Sequence, residues 1–213
     1  MPRKLLKMLD ELYPWDGTCF LEHETPWQLL FATILSAQCT DDRVNQVTRI
    51  MFKQLPTLED YIKCDYEEIA ALVRSTGFFR VKARNLQQCA HILINEYGGH
   101  VPSDMDALTA LPGVGRKTAN VVRGHIFQLP SVTVDTHVGR VARRLGLTLH
   151  TDAVKVEFDL MQKIPKKYWI RINQQLISHG RAVCKSQRPR CGACTLRALC
   201  PHGKQTPIKE PRT

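Results

Sequence analysis

Apolar residues recur at intervals of three and four along almost the whole chain, and no segment sustains the alternation of a strand. An all-α fold is therefore expected. Leu5, Leu6, Met8, Leu9 and Leu12 form the first stripe. Thr25-Pro26 joins a capping hydroxyl to a proline at the first helical position, predicting a buried helix through Ala37. Thr40 caps the next helix, with Val44, Val47 and Met51 on one face, and Asp65 precedes another that ends near Gly77. Ala83, Leu86, Ala90, Leu93 and Tyr97 define a long helix stopped by Gly98-Gly99. Ser103 opens a short helix carrying Leu108 and Leu111. The turn Pro112-Gly113-Val114-Gly115 follows, then a helix from Arg116 to about Phe127. Asp135 starts one with Val138, Val141, Ala142 and Leu145 along its stripe and Gly146 as its stop; two more are expected around 152–164 and 167–179.

Length and composition change this picture little. At 213 residues and 43% hydrophobic content the chain can build one large core or two small ones. The most apolar run, inside WQLLFATILSAQ, is too short to span a bilayer. The start, MPRKLLKMLDELYPW, lacks an uninterrupted apolar stretch and reads as an amphipathic helix rather than a signal peptide, so a cytoplasmic location is expected. Charge adds more. A net charge of +10 favours a polyanionic partner, nucleic acid first, although a basic surface also serves solubility alone.

The eight cysteines fall into two groups. Cys19, Cys39, Cys64 and Cys89 are scattered among apolar neighbours and are expected to be small buried residues. Cys184, Cys191, Cys194 and Cys200 crowd together in the pattern C-x6-C-x2-C-x5-C. Four thiolates suit structural zinc or an iron–sulfur cluster. Zinc ribbons bring two close pairs, whereas only Cys191 and Cys194 are closely paired here.

The glycine turn at 112–115 has chemistry of its own. Its exposed amides and the positive end of the following helix make an anion site, and glycine lets a phosphate approach closely. Gly113, Val114, Gly115 and Arg116 can thus grip a DNA backbone without reading sequence, or merely form a helix corner. Asp135 reads first as an N-cap for the amide of His137 or Val138. Arg140, Arg143 and Arg144 read as a solvated face with phosphate contacts, and His137 as structural.

SAQCTD at 36–41, GFFRVKA at 77–83, LPGVGRKTAN at 111–120, VDTHVGRVARRLG at 134–146 and the four-cysteine C-terminus, in this order, resemble the helix-hairpin-helix DNA glycosylases of the endonuclease III type. The resemblance covers almost the whole chain. It implies a bifunctional enzyme that excises oxidised pyrimidines and then nicks the strand at the abasic site. By this resemblance Lys117 is the nucleophile and Asp135 its acidic partner. Gln38 and Phe78 enter the stack vacated by the extruded nucleotide, and Asp41, which also reads as a helix start, lies near the lesion. Members often carry leucine where Phe78 stands. The resemblance also implies that the four cysteines hold a [4Fe–4S] cluster, and a loop made rigid by it is expected to present Lys185, Arg188 and Arg190 to phosphates. The family architecture places residues 20–129 in a six-helix domain, with the helix-hairpin-helix at about 104–127. Residues 1–19 and 130–213, with the cluster loop at 184–200, form a second helical domain across a DNA-binding cleft. The expected partner is damaged double-stranded DNA, bound by a monomer at the nucleoid and away from membranes. A mismatch adenine glycosylase would need an acid in FATILSAQ, which has none. A monofunctional uracil or thymine glycosylase and a non-enzymatic DNA-binding module remain alternatives.

Overall fold

The computed structural model of the chain describes residues 2–207. Helices and short 3-10 turns make up its regular structure, with no strand among the described residues. The helices are α1 (Pro2–Leu12), α2 (Pro26–Leu35), α3 (Asp41–Gln54), α4 (Leu58–Lys63), α5 (Tyr66–Leu72), α6 (Phe79–Tyr97), α7 (Met105–Ala110) and α8 (Arg116–His125). They continue with α9 (Thr136–Arg144), α10 (Ala153–Lys163), α11 (Trp169–Ala182) and α12 (Pro201–Gln205). The chain divides into two compact units. Cys19–Phe127 forms one, and the two ends of the chain, up to Thr18 and from Gln128 onward, form the other.

In the unit 19–127, α2 is buried along nearly its whole length, with Leu29, Leu30, Phe31, Ala32 and Leu35 shielded from water. Each such large aliphatic or aromatic side chain contributes about 1.5–3 kcal/mol by burial. Thr25 starts this helix through a capping box: its hydroxyl accepts the Gln28 amide while the Gln28 side chain accepts the Thr25 amide at 3.1 Å. Trp27, Phe31 and Tyr61 pack edge to face around it. The helix stops at Leu35, two residues before the expected end, because the chain bends at Ser36 and Gln38 takes a φ of +54°. Helix α4 was not expected from periodicity; a second capping box, Thr57 with Asp60, starts its six residues. The cap of α7 is Asp104 and not Ser103. Its carboxylate accepts the amides of Asp106 and Ala107 at 2.9 and 3.0 Å, which hold it below the usual carboxylate range.

The other unit packs Leu5, Leu6 and Leu9 of α1 with Val138, Val141 and Ala142 of α9, Leu160, Ile172, Leu176 and Leu196. Leu12, expected on the same stripe, is exposed. No helix among the described residues is long and apolar enough to cross a membrane. Of the four scattered cysteines only Cys89 is deeply buried, its thiol pushed up to about 12. Cys19, Cys39 and Cys64 are half-buried, Cys19 in the connection between α1 and α2 and the other two beside helix ends.

Candidate active site and nucleic-acid interface

Helices α7 and α8 are joined by a turn whose ends are pinned in the core by Leu111 and Val114. Val114 therefore turns its side chain inward, and only its backbone is left to meet a ligand. Gly113 has a φ of +77°, and a Cβ there would lie 2.6 Å from Asn85 Nδ2, so both conformation and space require glycine. Gly115 caps α8 in extended conformation with open space where a side chain would stand. The amides that open α8 lack intrahelical acceptors, which leaves the positive end of the helix beside an exposed backbone. Lys117, second residue of α8, is exposed.

Two further loops of the same unit present side chains outward. Gln38 follows α2 and Phe78 precedes α6, and both adopt left-handed backbone, at φ +54° and +47°. Phe78 is 67% exposed, so it is no core residue. A left-handed non-glycine residue costs about 1–2 kcal/mol and persists only where its surroundings impose it. Replacing Phe78 with glycine is accordingly expected to raise stability by about 1 kcal/mol in urea melts, whereas truncating buried Phe31 to alanine costs about 3–5 kcal/mol. Asp41 is half-buried in the first turn of α3, and its charge adds to the burial that raises the Cys19 thiol to about 11.

In the unit built from the two ends, Asp135 caps α9 with Oδ1 accepting the Val138 amide at 2.7 Å. The extended segment before it is held by Asn173 of α11, whose Oδ1 accepts the Thr133 amide at 3.0 Å while Nδ2 donates to Ser131 O at 3.2 Å. Cap and clamp together fix where the carboxylate stands.

Cys184, Cys191, Cys194 and Cys200 line one cavity of about 350 Å3, counted with the solvent at its mouth. Burial pushes the thiols of Cys194 and Cys200 up, a tendency that a bound cation reverses. Arg140 and Arg144 correct the expectation of a solvated arginine face. Arg140 donates to Cys184 O at 3.1 Å and Gly180 O at 3.1 Å. Arg144 donates to Lys185 O at 2.6 Å, Ser186 O at 3.0 Å and Cys184 Sγ at 3.3 Å. Only Arg143 of the three stays exposed. His137 fits its structural reading, with Nδ1 3.2 Å from an Arg140 nitrogen. Buried His179, unremarked in the sequence, bridges Tyr13, 3.0 Å from its Nδ1, and Cys194 Sγ, 3.7 Å from its Nε2. Lys185, Arg188 and Arg190 all stand exposed on the loop between the first two cysteines, Arg188 at φ +48°.

Residues 31–166 match the HhH-GPD superfamily of base excision DNA repair proteins. Endonuclease III of Synechocystis sp. is 51% identical over 93% of this chain and 90% of its own length. The chain belongs to the endonuclease III family. Endonuclease III of Bacillus subtilis is 45% identical, covering 94% of this chain and 91% of the relative. A solved structure of a trapped endonuclease III–DNA covalent intermediate, an estranged-adenine complex, superposes with a TM-score of 0.89 at 46% identity, covering 95% of both chains. The family assignment gives the exposed amine, the glycine turn and the four-cysteine loop a common context, and it agrees with the all-helical fold.

Proposed function

We propose that this chain is a bifunctional DNA glycosylase and abasic-site lyase, working as a monomer on oxidised pyrimidines in damaged duplex DNA, with the nucleoid as its cytoplasmic place of work. One observation carries the reading. Lys117 is an exposed primary amine at the second position of α8, directly after the glycine turn, in a chain 46% identical to an endonuclease III solved as a covalent intermediate with DNA.

The proposed chemistry begins with extrusion of the damaged nucleotide, because C1′ of a stacked nucleotide is too shielded for attack. Gln38 and Phe78 fill the gap, the amide pairing with the orphaned base and the ring stacking on a neighbour. Backbone amides of Gly113–Gly115 and the side chain of Arg116 hold phosphates, as do Lys185, Arg188 and Arg190; Asp41 lines the lesion's pocket. The neutral Lys117 amine attacks C1′. The glycosidic bond breaks, and the base departs with its electron pair and takes up a proton. The carboxylate of Asp135, fixed by the Val138 amide, stabilises the cationic sugar. Opening of the sugar leaves an iminium between Nζ and C1′. A proton then leaves C2′, the C3′–O bond breaks, and the 3′ phosphate departs; water finally hydrolyses the imine and returns the lysine. With water as nucleophile the reaction would end at base loss.

The cysteine loop suits a [4Fe–4S] cluster held by Cys184, Cys191, Cys194 and Cys200. Its four donors are all thiols, they share one cavity wall, and two of them are raised by burial in a way that cationic iron relieves. When bound, the cluster supplies four iron–thiolate links that tie the loop carrying Lys185, Arg188 and Arg190 to the helical core.

Borohydride trapping tests the reading, since reduction of the imine fixes protein to DNA. Adducts are expected on duplexes bearing thymine glycol or an abasic site and not on undamaged thymine. An adduct on the abasic duplex alone would overturn the glycosylase half. A uracil duplex trapped in preference to thymine glycol would move the substrate class. No adduct, from iron-loaded protein that binds DNA, would leave a monofunctional glycosylase or a binding module.

A further inference from the structure

Lys82 is a charged residue in the first turns of α6, yet it is only 4% exposed. Its Nζ donates to Leu35 O at 2.8 Å, Ala37 O at 2.9 Å and Thr76 O at 2.7 Å. An ammonium has three donors, and here all three are used on backbone carbonyls. Two of the acceptors flank the end of α2, where carbonyls lack helical partners and the helix dipole favours a cation. They lead directly into Gln38. The third lies two residues before Phe78. One buried cation thus ties together the two loops that carry the left-handed residues, and Lys82's own amide bonds back to Phe78 O at 3.1 Å. Burial lowers the Lys82 pKa, a cost offset by the carbonyls.

We infer that Lys82 is the positioning residue of the strand-insertion apparatus: its ammonium fixes the Gln38 and Phe78 loops at one spacing, so that both side chains enter the DNA stack together. The inference rests on the insertion roles proposed above for those two residues. Neither residue is itself a glycine, for which this backbone conformation is easy. A separate agent must hold the two loops, and this hydrogen-bonded cation is placed to do so. Lys82 touches neither DNA nor the reacting atoms in this scheme. Its effect passes through Gln38 and Phe78.

The test compares Lys82→Met with the parent enzyme, cluster loaded, on two substrates. On a thymine glycol duplex, where extrusion is required, single-turnover excision is expected to fall about 10–100-fold, the scale of a misplaced positioning group. On a single-stranded abasic oligonucleotide, which needs no extrusion, borohydride trapping is expected to stay within about twofold of the parent. A 2-aminopurine placed opposite the abasic site of a duplex reports stacking independently, and its fluorescence change on binding is expected to shrink. A general loss of fold would instead lower both substrates together, and that outcome overturns the inference, as does an unchanged duplex rate. Should Lys82→Met not fold, Lys82→Gln, with at most two amide donors for three carbonyls, carries the same comparison. Phe78→Ala and Gln38→Ala run alongside separate the two levels. If they also spare the duplex reaction, the insertion reading fails; if they impair it and the Lys82 variants do not, only the role of Lys82 fails.

Discussion

Replacing Lys117 with glutamine is expected to abolish borohydride trapping and strand cleavage while leaving DNA binding largely intact. Glutamine keeps a polar, unbranched side chain one atom shorter than lysine's but has no lone pair able to form an imine, so no covalent path to β-elimination remains. A fall of at least about a thousandfold in the cleavage rate corresponds to roughly 4 kcal/mol of lost transition-state stabilisation. Base loss through water stays open in principle, so residual excision without nicking fits the same mechanism. Folding should hardly change. Lys117 is exposed, and such surface replacements lie within about 0.5 kcal/mol. Binding should weaken only slightly, because the amides of the Gly113–Gly115 turn and the cysteine-loop cations remain. A dissociation constant raised more than about tenfold, measured at fixed salt, would recast Lys117 as a phosphate anchor.

Much of the helical scaffold was legible because its start signals are local. Thr25, Thr40, Asp65 and Asp135 each cap the helix they precede, since a cap is a hydrogen bond within three residues of sequence. Helix α4 escaped because six residues are too few to display a period; its only signal was the Thr57–Asp60 box. The bend after Leu35 escaped for a different reason. Gln38 takes its left-handed backbone directly after a carbonyl that Lys82 binds from 45 residues away, and nothing in a glutamine announces it.

The site divides along the same line. Lys117 and the glycine turn stand together in one motif, and the four cysteines announce themselves by spacing. Arg140, Arg144 and Lys82 were misread or passed over because each acts across a long sequence interval. The Arg140 and Arg144 bonds to Cys184 and its neighbours span forty residues or more. Periodicity put the two arginines on polar positions of α9 and assigned them to solvent, and Lys82 drew no reading at all. A charged side chain can equally turn inward to satisfy carbonyls, and a helical pattern does not distinguish the two cases. Val114 is the reverse instance. It belongs to the phosphate-binding turn by motif, yet its side chain anchors the turn in the core.

Replacing Cys200 with alanine is expected to be the most destabilising single change in the cysteine loop. Its thiol lies in two hydrogen bonds besides its place in the cavity wall: Sγ accepts the Gly203 amide at 3.3 Å, capping α12, and donates to Arg144 O at 3.1 Å. Iron binding would take the thiol proton and exchange the second of these bonds for a stronger link. Alanine removes the cap and the proposed iron ligand in one step. Loss of a metal ligand belongs with the rare substitutions that cost more than about 4 kcal/mol. At about 2–4 °C per kcal/mol for a chain of this size, the melting temperature should drop by roughly 8–16 °C. Iron content, read from the brown absorbance and from elemental analysis, should fall in parallel. Serine tests which loss dominates, because it keeps an acceptor for the Gly203 amide but is a poor iron ligand. A Cys200→Ser protein that lost its iron and still melted like the parent would show that caps and arginines hold this tail without the cluster. A serine variant as unstable as the alanine one would place the stability in the iron–thiolate links, with Arg140 and Arg144 serving to shape the loop around them.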